Sequence, residues 1–518
     1  MSDTNRVGVR IARSPAKSAP ILNPQLTLTA LRYTGAPGLA FTPTTVVSEE
    51  IRSDRQTSDL ILVGGEAGGD TNFEMSFGAF DLLIESAMMS LYSQNKFNLG
   101  ATDIVSFAAG QIQLAAGEGD DYEVGHILRL DDLATGDQGD GVYELTVITV
   151  DLLTVVPHTA GTNAVLAAWT SGAETKLSVC GLIPGAVGDI TMAAPASGEI
   201  VLTVANNNTL FDNARGGNVD TLLTIGMWVK MARWPTAEAG NNVWARIKAI
   251  DTTARTLTFA AQTGMVLGAA AAERVEIYFG DHVENGAQAV TAHQFALERR
   301  FEDQVEVLRE LFLGMALNNF SIALAPQSIM TGAVTFFGFS SAVQVETGNA
   351  HVGTIAPALY ETAPIDAAAA TNPVYNTSSN VGRLGRGVDP IDTAGVNFVL
   401  EASIDLTNNL RRQEAVGVFG AAGIGVGEVG VTGTLRTYFD NKAILDQILA
   451  NTETSLDISV VDSNGRAMLF DMPRIKFAGG APDVPGKNQD VTIPATYQAI
   501  LSPDFGYTIS VQRLNFVR

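Results

Sequence analysis

Gly425-Val426-Gly427-Glu428-Val429-Gly430 has the spacing of a dinucleotide-binding glycine loop. Such a loop cradles a pyrophosphate only where a strand precedes it and a helix opens directly after it. Here the following residues, VTGTL, alternate as a strand does, so the glycines predict a strand edge and no nucleotide. Gly136-Asp137-Gln138-Gly139-Asp140-Gly141 offers oxygen ligands on tight turns, the chemistry of a calcium loop. It occurs once, whereas calcium-binding nonapeptide arrays need tandem copies, so a plain loop is expected. Arg299 and Arg300 stand among Glu298, Glu302 and Asp303 in FALERRFEDQ. Catalysis there would need a cleft and a nucleophile partner, and the sequence indicates neither; a solvated face or an inter-subunit ion-pair patch is expected. Cys180, in KLSVCGLIPG, reads as a small core residue. As the single cysteine, it excludes a disulfide framework, a cysteine zinc site and an iron–sulfur cluster. The five histidines form no HExxH or HxH pair, and neither GxSxG nor a P-loop is present. No catalytic, cofactor-binding or metal-binding residue is assigned. No cofactor is expected, and the chain is not expected to be an enzyme.

The elements that must position any functional surface are strands. Gly accounts for 51 of 518 residues, and Val, Thr, Ile and Leu alternate with polar residues over much of the chain. Strands are predicted at Gln25–Ala30, Asn72–Phe77, Glu144–Val150, Thr256–Phe259 and Val491–Tyr497. Asp462-Ser463-Asn464-Gly465, between LDISV and RAMLF, predicts a hairpin whose Asn-Gly takes positive φ angles. Helical periodicity is confined to Ala79–Ser90, Asn441–Ala450 and Asp303–Gly314. A mainly β protein with short helices follows. With 46% hydrophobic residues it can build two to four domains. Lys plus Arg is 32 against 55 Asp plus Glu, a net charge of -23, which rules out a basic nucleic-acid footprint for the chain as a whole. No run of 18 apolar residues exists and Met1–Lys17 has no apolar core, so a soluble protein without secretory signal or membrane partner is expected.

The chain repeats. Gly68–Met75 leads through Phe80-Asp81 into a helix at Leu82–Met89, as Gly427–Leu435 leads through Phe439-Asp440 into a helix at Ile444–Leu449. Charged runs precede both, SEEIRSDRQ at Ser48–Gln56 and NNLRRQEAVG at Asn408–Gly417, and strand pairs follow both. Two copies of one β-domain are predicted, the first split by a long insert. Inside the insert, Val124–Leu130 resembles Ile225–Met231, Val142-Tyr143 resembles Val243-Trp244, and Leu153–Val155 resembles Leu257–Phe259. Two small β-barrels in tandem are therefore predicted. The resulting division is an extended N-terminal arm (1–24), a first β-domain in two parts (25–104 and 285–345), barrel inserts at 105–198 and 199–284, a linker (346–395) and a second β-domain (396–518).

Four segments resemble a family of tail tube proteins from long-tailed, siphovirus-like bacteriophages: Val46–Met88, Phe295–Gly338, Asn408–Gly417 with Val431–Asn441, and Met472–Ile500. The insert departs from the family pattern, in which a single barrel is usual. The resemblance implies duplicated β-sandwich domains with short flanking helices, in a virion protein assembled in the host cytoplasm. It also implies self-assembly into stacked rings, with a tape measure protein and tail terminator or distal tail proteins as partners. DNA would pass through the lumen without specific binding. Duplication suggests three chains per pseudo-hexameric ring, and the acidic balance suits a wall that must not grip phosphate. The arm and linker, lacking a buried pattern, are expected to bridge subunits or rings, and the barrels to decorate the outside. The alternative in another class is a secreted or surface β-repeat adhesion protein; it predicts a secretion signal or calcium repeats.

Overall fold

A computed structural model describes residues 6–21, 25–35, 37–93, 99–100, 102–108, 110–131, 141–158, 176–183, 189–194, 198–205, 223–269, 274–286, 290–304, 307–346, 359–362, 364–391 and 398–518. The first β-domain comprises Val7–Arg13 (β1), Ala40–Val47 (β2), Leu60–Glu74 (β3), the helix Asp81–Met88 (α1), Phe295–Phe301 (β4), Val307–Leu324 (β5), Thr331–Gly338 (β6) and Ser340–Glu346 (β7). Its strands pair in the order β2-β3-β6-β5-β4-β1, with β7 beside the first half of β5. The second comprises Val381–Arg386 (β8), Val399–Thr407 (β9), Gly430–Tyr438 (β10), the helix Ala443–Ala450 (α2), Glu453–Val461 (β11), Ala467–Gly479 (β12), Thr492–Ala499 (β13) and Ser510–Leu514 (β14). Their order is β9-β10-β13-β12-β11-β8, with β14 beside the first half of β12.

The duplication holds residue by residue. Register shifts fall between Phe295 and Leu297 opposite β5 and between Thr454 and Leu456 opposite β12. They recur at Leu317/Asn319 and at Phe477/Gly479. A bulge inserts one unpaired residue and turns the strand, so matched bulges mean matched curvature. Both helices end on a residue in the left-handed region, Met89 (φ 50) and Asn451 (φ 49). Between β11 and β12 the Asp-Ser-Asn-Gly turn is present, but only Gly465 (φ 76) has positive φ. Asp462 Oδ1 accepts from the Asn464 and Arg466 N–H groups at 2.8 Å, which holds Asn464 in an Asx-type turn and needs no second left-handed residue.

Three sequence expectations are corrected here. Residues from Val307 to Gly314, read as the body of a helix, lie in β5, because β4 and β7 occupy both of its edges and their ladders override helical spacing. The arm contributes β1, whose Val9 and Ile11 enter the main core, so its VGVRIAR alternation is a buried pattern after all. The linker contributes Ile365–Ala367, parallel to Thr27–Ala30, and β8, the counterpart of β1. Gly385 of β8 is needed there: a Cβ would come within 2.3 Å of the Asp457 carboxylate. Arm and linker thus cover their own chain, with Ile21, Leu28, Leu359 and Tyr360 packed on Leu311 and Leu313.

The insert is one body. Its two copies match through Gly125 (φ 100) and Gly226 (φ 95), whose N–H groups donate to the carbonyls of Leu145 and Ile247 at 2.9 and 2.8 Å. Each has a register shift just beyond, at Leu145/Val147 and Ile247/Ala249. Val142 stands opposite Arg129 as Trp244 stands opposite Lys230, so the counterpart of Trp244 is Val142, one residue from the expected Tyr143. The copies are not separate barrels: Lys176–Leu182 pairs with Glu276–Tyr278, giving a 13-stranded sheet over one core that includes Trp234. Ile190–Ala193 pairs with Glu199–Val204, so pairing crosses the expected divide at residue 198.

Nor does the insert hang free. Ile127, Cys180, Trp228 and Tyr278 pack on Leu469, Leu514 and Phe516 of the second β-domain. The Trp228 N–H donates to Gln512 Oε1 and Gln512 Nε2 donates back to the Trp228 carbonyl, both at 2.8 Å. Arg246 binds both Asp471 oxygens, at 2.9 and 3.0 Å. The strand Asp281–Glu284, where the insert returns, pairs with β14. There His282 lies 3.7 Å from Glu284 and 6.0 Å from the Tyr507 ring, and burial pushes its imidazole down to about 4. The unfolded chain therefore binds a proton that the folded chain refuses between about pH 6.5 and 4. Stability should fall across that window by about 3 kcal/mol through this group alone. Urea unfolding of His282→Gln against the unmodified chain checks this, and the variant should lose that part of the slope.

Candidate functional site

The two β-domains are joined by backbone. Asn319–Leu324, the last part of β5, pairs on one edge with β6 and on the other with Ala402–Thr407 of β9. The result is a continuous eight-strand run, β2-β3-β6-β5-β9-β10-β13-β12. Because side chains alternate across a sheet, the run has two chemically distinct faces.

One face is the core. Phe73, Phe320, Ile322, Ile404, Leu435, Tyr497 and Phe477 are buried in a single apolar cluster with α1 and α2 behind them. Phe73 stacks on Phe80 with centroids 4.2 Å apart. Gly332 makes room for it, since a Cβ would lie 2.3 Å from the Phe73 ring. The Tyr497 hydroxyl donates to the Ser403 carbonyl at 2.7 Å, so its buried polar atom is satisfied.

The other face is polar. Across it runs the row Asn72, Ala333, Ser321, Asp405, Thr432, Gln498 and Lys476, each paired with the next. Thr434, Thr496 and Thr331 flank that row and are exposed. Glu66, Asp70, Glu74, Glu401 and Asp405 carry negative charge here, against Arg436 and Lys476. Glu401 is 3.7 Å from Arg436, and Glu66 is ion-paired with Arg412. Partial burial raises the Asp405 carboxyl above its usual range despite the Ser403 hydroxyl at 3.3 Å. Short hydroxyls, amides and scattered acids on a rigid sheet can hydrate a surface and repel an anion, but bring no nucleophile to a base.

Residues singled out for chemistry have other places. Gly425 ends a short strand and β10 opens at Gly430, so a strand follows the glycine motif as expected. Gly427 is needed because a Cβ would sit 2.4 Å from the Asn409 carbonyl oxygen. Of Gly136–Gly141, all but Gly141 lies outside the described residues. Of the Arg299–Arg300 cluster, Glu302 is exposed and pairs with Arg300, while the rest is engaged within the chain. Glu298 is fully buried, accepts both Arg309 hydrogen bonds at 3.0 Å and one from Tyr360, while Arg299 pairs with Glu310. Its counterpart Asp457 is also buried and paired with Arg383; burial pushes that carboxyl up against the pull of the guanidinium. Sequence reading missed this second pair, because Arg383 and Asp457 lie in segments with no shared local pattern. Cys180 is buried, and burial pushes its thiol up. Among the described residues no metal-holding group of His, Cys, Asp and Glu gathers, and no helix is long and apolar enough to cross a membrane. A cleft of about 400 Å³ beside the β5–β9 junction is lined largely by apolar residues such as Leu324, Val381, Ile391 and Phe398.

The two faces should respond oppositely to substitution. Thr432→Lys or Thr434→Lys should change unfolding free energy by no more than about 0.5 kcal/mol. Phe320→Ala, on the buried face, should cost about 3–5 kcal/mol. Chemical denaturation of the three variants measures both.

Compared with known families, the chain matches a model described as phage tail tube protein over residues 4–499. No curated protein matches it.

Proposed function

The chain belongs to the phage tail tube protein family, and from that premise we propose how it builds and lines the tube. Its role is structural and its place is the virion tail. Three copies, each supplying two β-domains, close into a pseudo-hexameric ring, and rings stack into a tube through which DNA is ejected into the host. The observation that carries this reading is the continuous eight-strand run. A chain that already joins two copies of one domain edge to edge needs only to repeat that join to close a ring.

The polar face of the run lines the lumen in this reading. Acids outnumber Arg436 and Lys476 on this face, so phosphate gains little there by counterion release, and Asp70, Glu401 and Asp405 repel it; the genome slides without specific binding. The tape measure protein and the tail terminator and distal tail proteins are the partners proposed at the tube's interior and ends, with assembly in the host cytoplasm. Covalent chemistry has no part in this.

Two measurements test it. Native mass and negative-stain images of concentrated protein should give rings of three chains; six chains per ring, or compact monomers alone, would overturn the reading. Replacing Asp70, Glu401 and Asp405 together by Lys should leave tubes intact and slow DNA ejection at least tenfold. Ejection at the normal rate through such tubes would remove the electrostatic account of the wall.

A further inference from the structure

Where the insert meets the second β-domain, the packing leaves a cleft of about 390 Å³, within the roughly 300–1,000 Å³ of small-molecule sites. Trp228, Arg246 and Lys248 line it from the insert, and Glu453, Arg474 and Phe505 from the domain. We propose that this cleft binds a neutral saccharide, a mono- or disaccharide, with Phe505 as the ring against which the sugar stacks. The site is complete within one chain and needs no ring closure.

Both walls depart from the duplicated plan. In the first insert copy the places of Trp228, Arg246 and Lys248 are held by Ile127, Glu144 and Thr146, on strands paired in the same way and with the same register shift. Strand pairing therefore does not require the three larger side chains. In the first β-domain Phe339 alone separates β6 from β7, whereas residues 500–509 separate their counterparts β13 and β14. This added loop is fastened to the insert and to itself. The Tyr507 hydroxyl lies 3.1 Å from both the Gly226 carbonyl oxygen and Asp471 Oδ2. The Ser502 N–H donates to the Tyr507 carbonyl at 3.0 Å, and the Gly506 N–H to the Ser502 carbonyl at 2.9 Å. Phe505 is thereby held at the cleft by a loop that the fold itself does not need.

The lining offers an apolar surface and many hydrogen bonds, but little net charge. Phe505 is half-buried, with the Arg246 guanidinium 4.7 Å from its centroid, and the rest of the ring can take the C–H face of a pyranose. Each cation already faces a carboxylate. Arg246 binds both oxygens of Asp471, Lys248 pairs with Glu199 at 2.7 Å, and Arg474 binds both oxygens of Glu453 at 2.7 and 2.5 Å. An anion would have to displace one of these partners, so the site selects against charge. A hydroxyl donates and accepts at once, and can meet a carboxylate and its arginine together. Donors remain for the hydroxyl oxygens. Arg246 uses only Nη1, and its Nε and Nη2 make no hydrogen bond among the described residues. The buried Trp228 indole N–H has no partner among them either. Unfilled donors beside an aromatic ring are what a polar ligand with one apolar face satisfies.

Saturation-transfer NMR on the full chain tests this with glucose, galactose, N-acetylglucosamine, lactose and chitobiose as probes. At least one should bind saturably, with a Kd of about 1 mM, and inorganic phosphate in large excess should not displace it. Phe505→Ala and Glu453→Gln should each weaken that binding about tenfold or more with thermal unfolding unchanged. Should either variant unfold at a lower temperature, the other decides. Phe398→Ala, in the cleft beside the β5–β9 junction, should leave binding as it was. No saturable signal from any of the five sugars, or binding that survives the cleft substitutions, would overturn the site. An equal loss in Phe398→Ala would overturn its location, and displacement by phosphate would overturn its preference for a neutral ligand.

Discussion

The pairing of Asn319–Leu324 with Ala402–Thr407 is the constraint on which the rest of the architecture turns. To make it, β5 must serve two partners along one edge, β4 first and β9 afterwards. At about 3.3 Å per residue its 18 residues span roughly 60 Å, too long to stay flat. The shifts at Phe295/Leu297 and Leu317/Asn319 lie on either side of the changeover and bend the strand away from β4 and towards β9. Once the join is made, the two domains cannot rotate against each other, the cores merge into one cluster, and the sheet acquires one dry and one wet face.

Buried charge marks the same duplication. Glu298 and Asp457 hold corresponding places, each in a strand interior and each met by an arginine, Arg309 or Arg383. Such pairs add little net stability, because desolvation offsets attraction, but breaking one costs about 3–5 kcal/mol. Their use is to reject misplacement: β5 cannot slip against β4, nor β8 against β11, without stranding an ion. On the second domain the scheme extends to the insert. The Trp228 indole lies near both Arg246 and Arg383, 5.6 and 5.1 Å from their guanidinium carbons, and those arginines are paired with Asp471 and Asp457. The insert is thus keyed to the domain it does not interrupt.

Much of this was legible in the sequence where the pattern is local. Alternation located β13 and the insert strands around Glu144–Val150 and Thr256–Phe259, apolar spacing located both helices, and the strand after Gly425–Gly430 dismissed the nucleotide reading. What escaped depends on partners far along the chain. VLRELFLGM has apolar residues on both faces because both are covered, Phe312 and Met315 by the main core and Leu311 and Leu313 by the cluster around Leu28, Leu359 and Tyr360. Helical spacing cannot be told from that by period alone. VGVRIAR and VGRLGR looked like arm and linker because their partner strands lie at residues 295–301 and 453–461. The merging of the two insert copies turns on Gly181↔Tyr278 and Leu182↔Ile277, pairings that no local window contains. The wet face was readable as alternation; which strand edges it joins was not.

The split of the first β-domain also sets a timetable. Glu74 pairs with Thr331, and Val7 with Phe301, so β1 and β3 leave the ribosome long before these partners exist. Non-local pairing of that span is slow to form, because closure entropy is lost before contacts reward it. The insert has its own core and can close first, turning a long slack chain into a compact body whose flanks meet, the Ser93 N–H donating to the His282 carbonyl at 2.7 Å. The waiting strands then need only bridge a folded body. Protease pulses on stalled nascent chains should find the insert resistant while β3 is still cut.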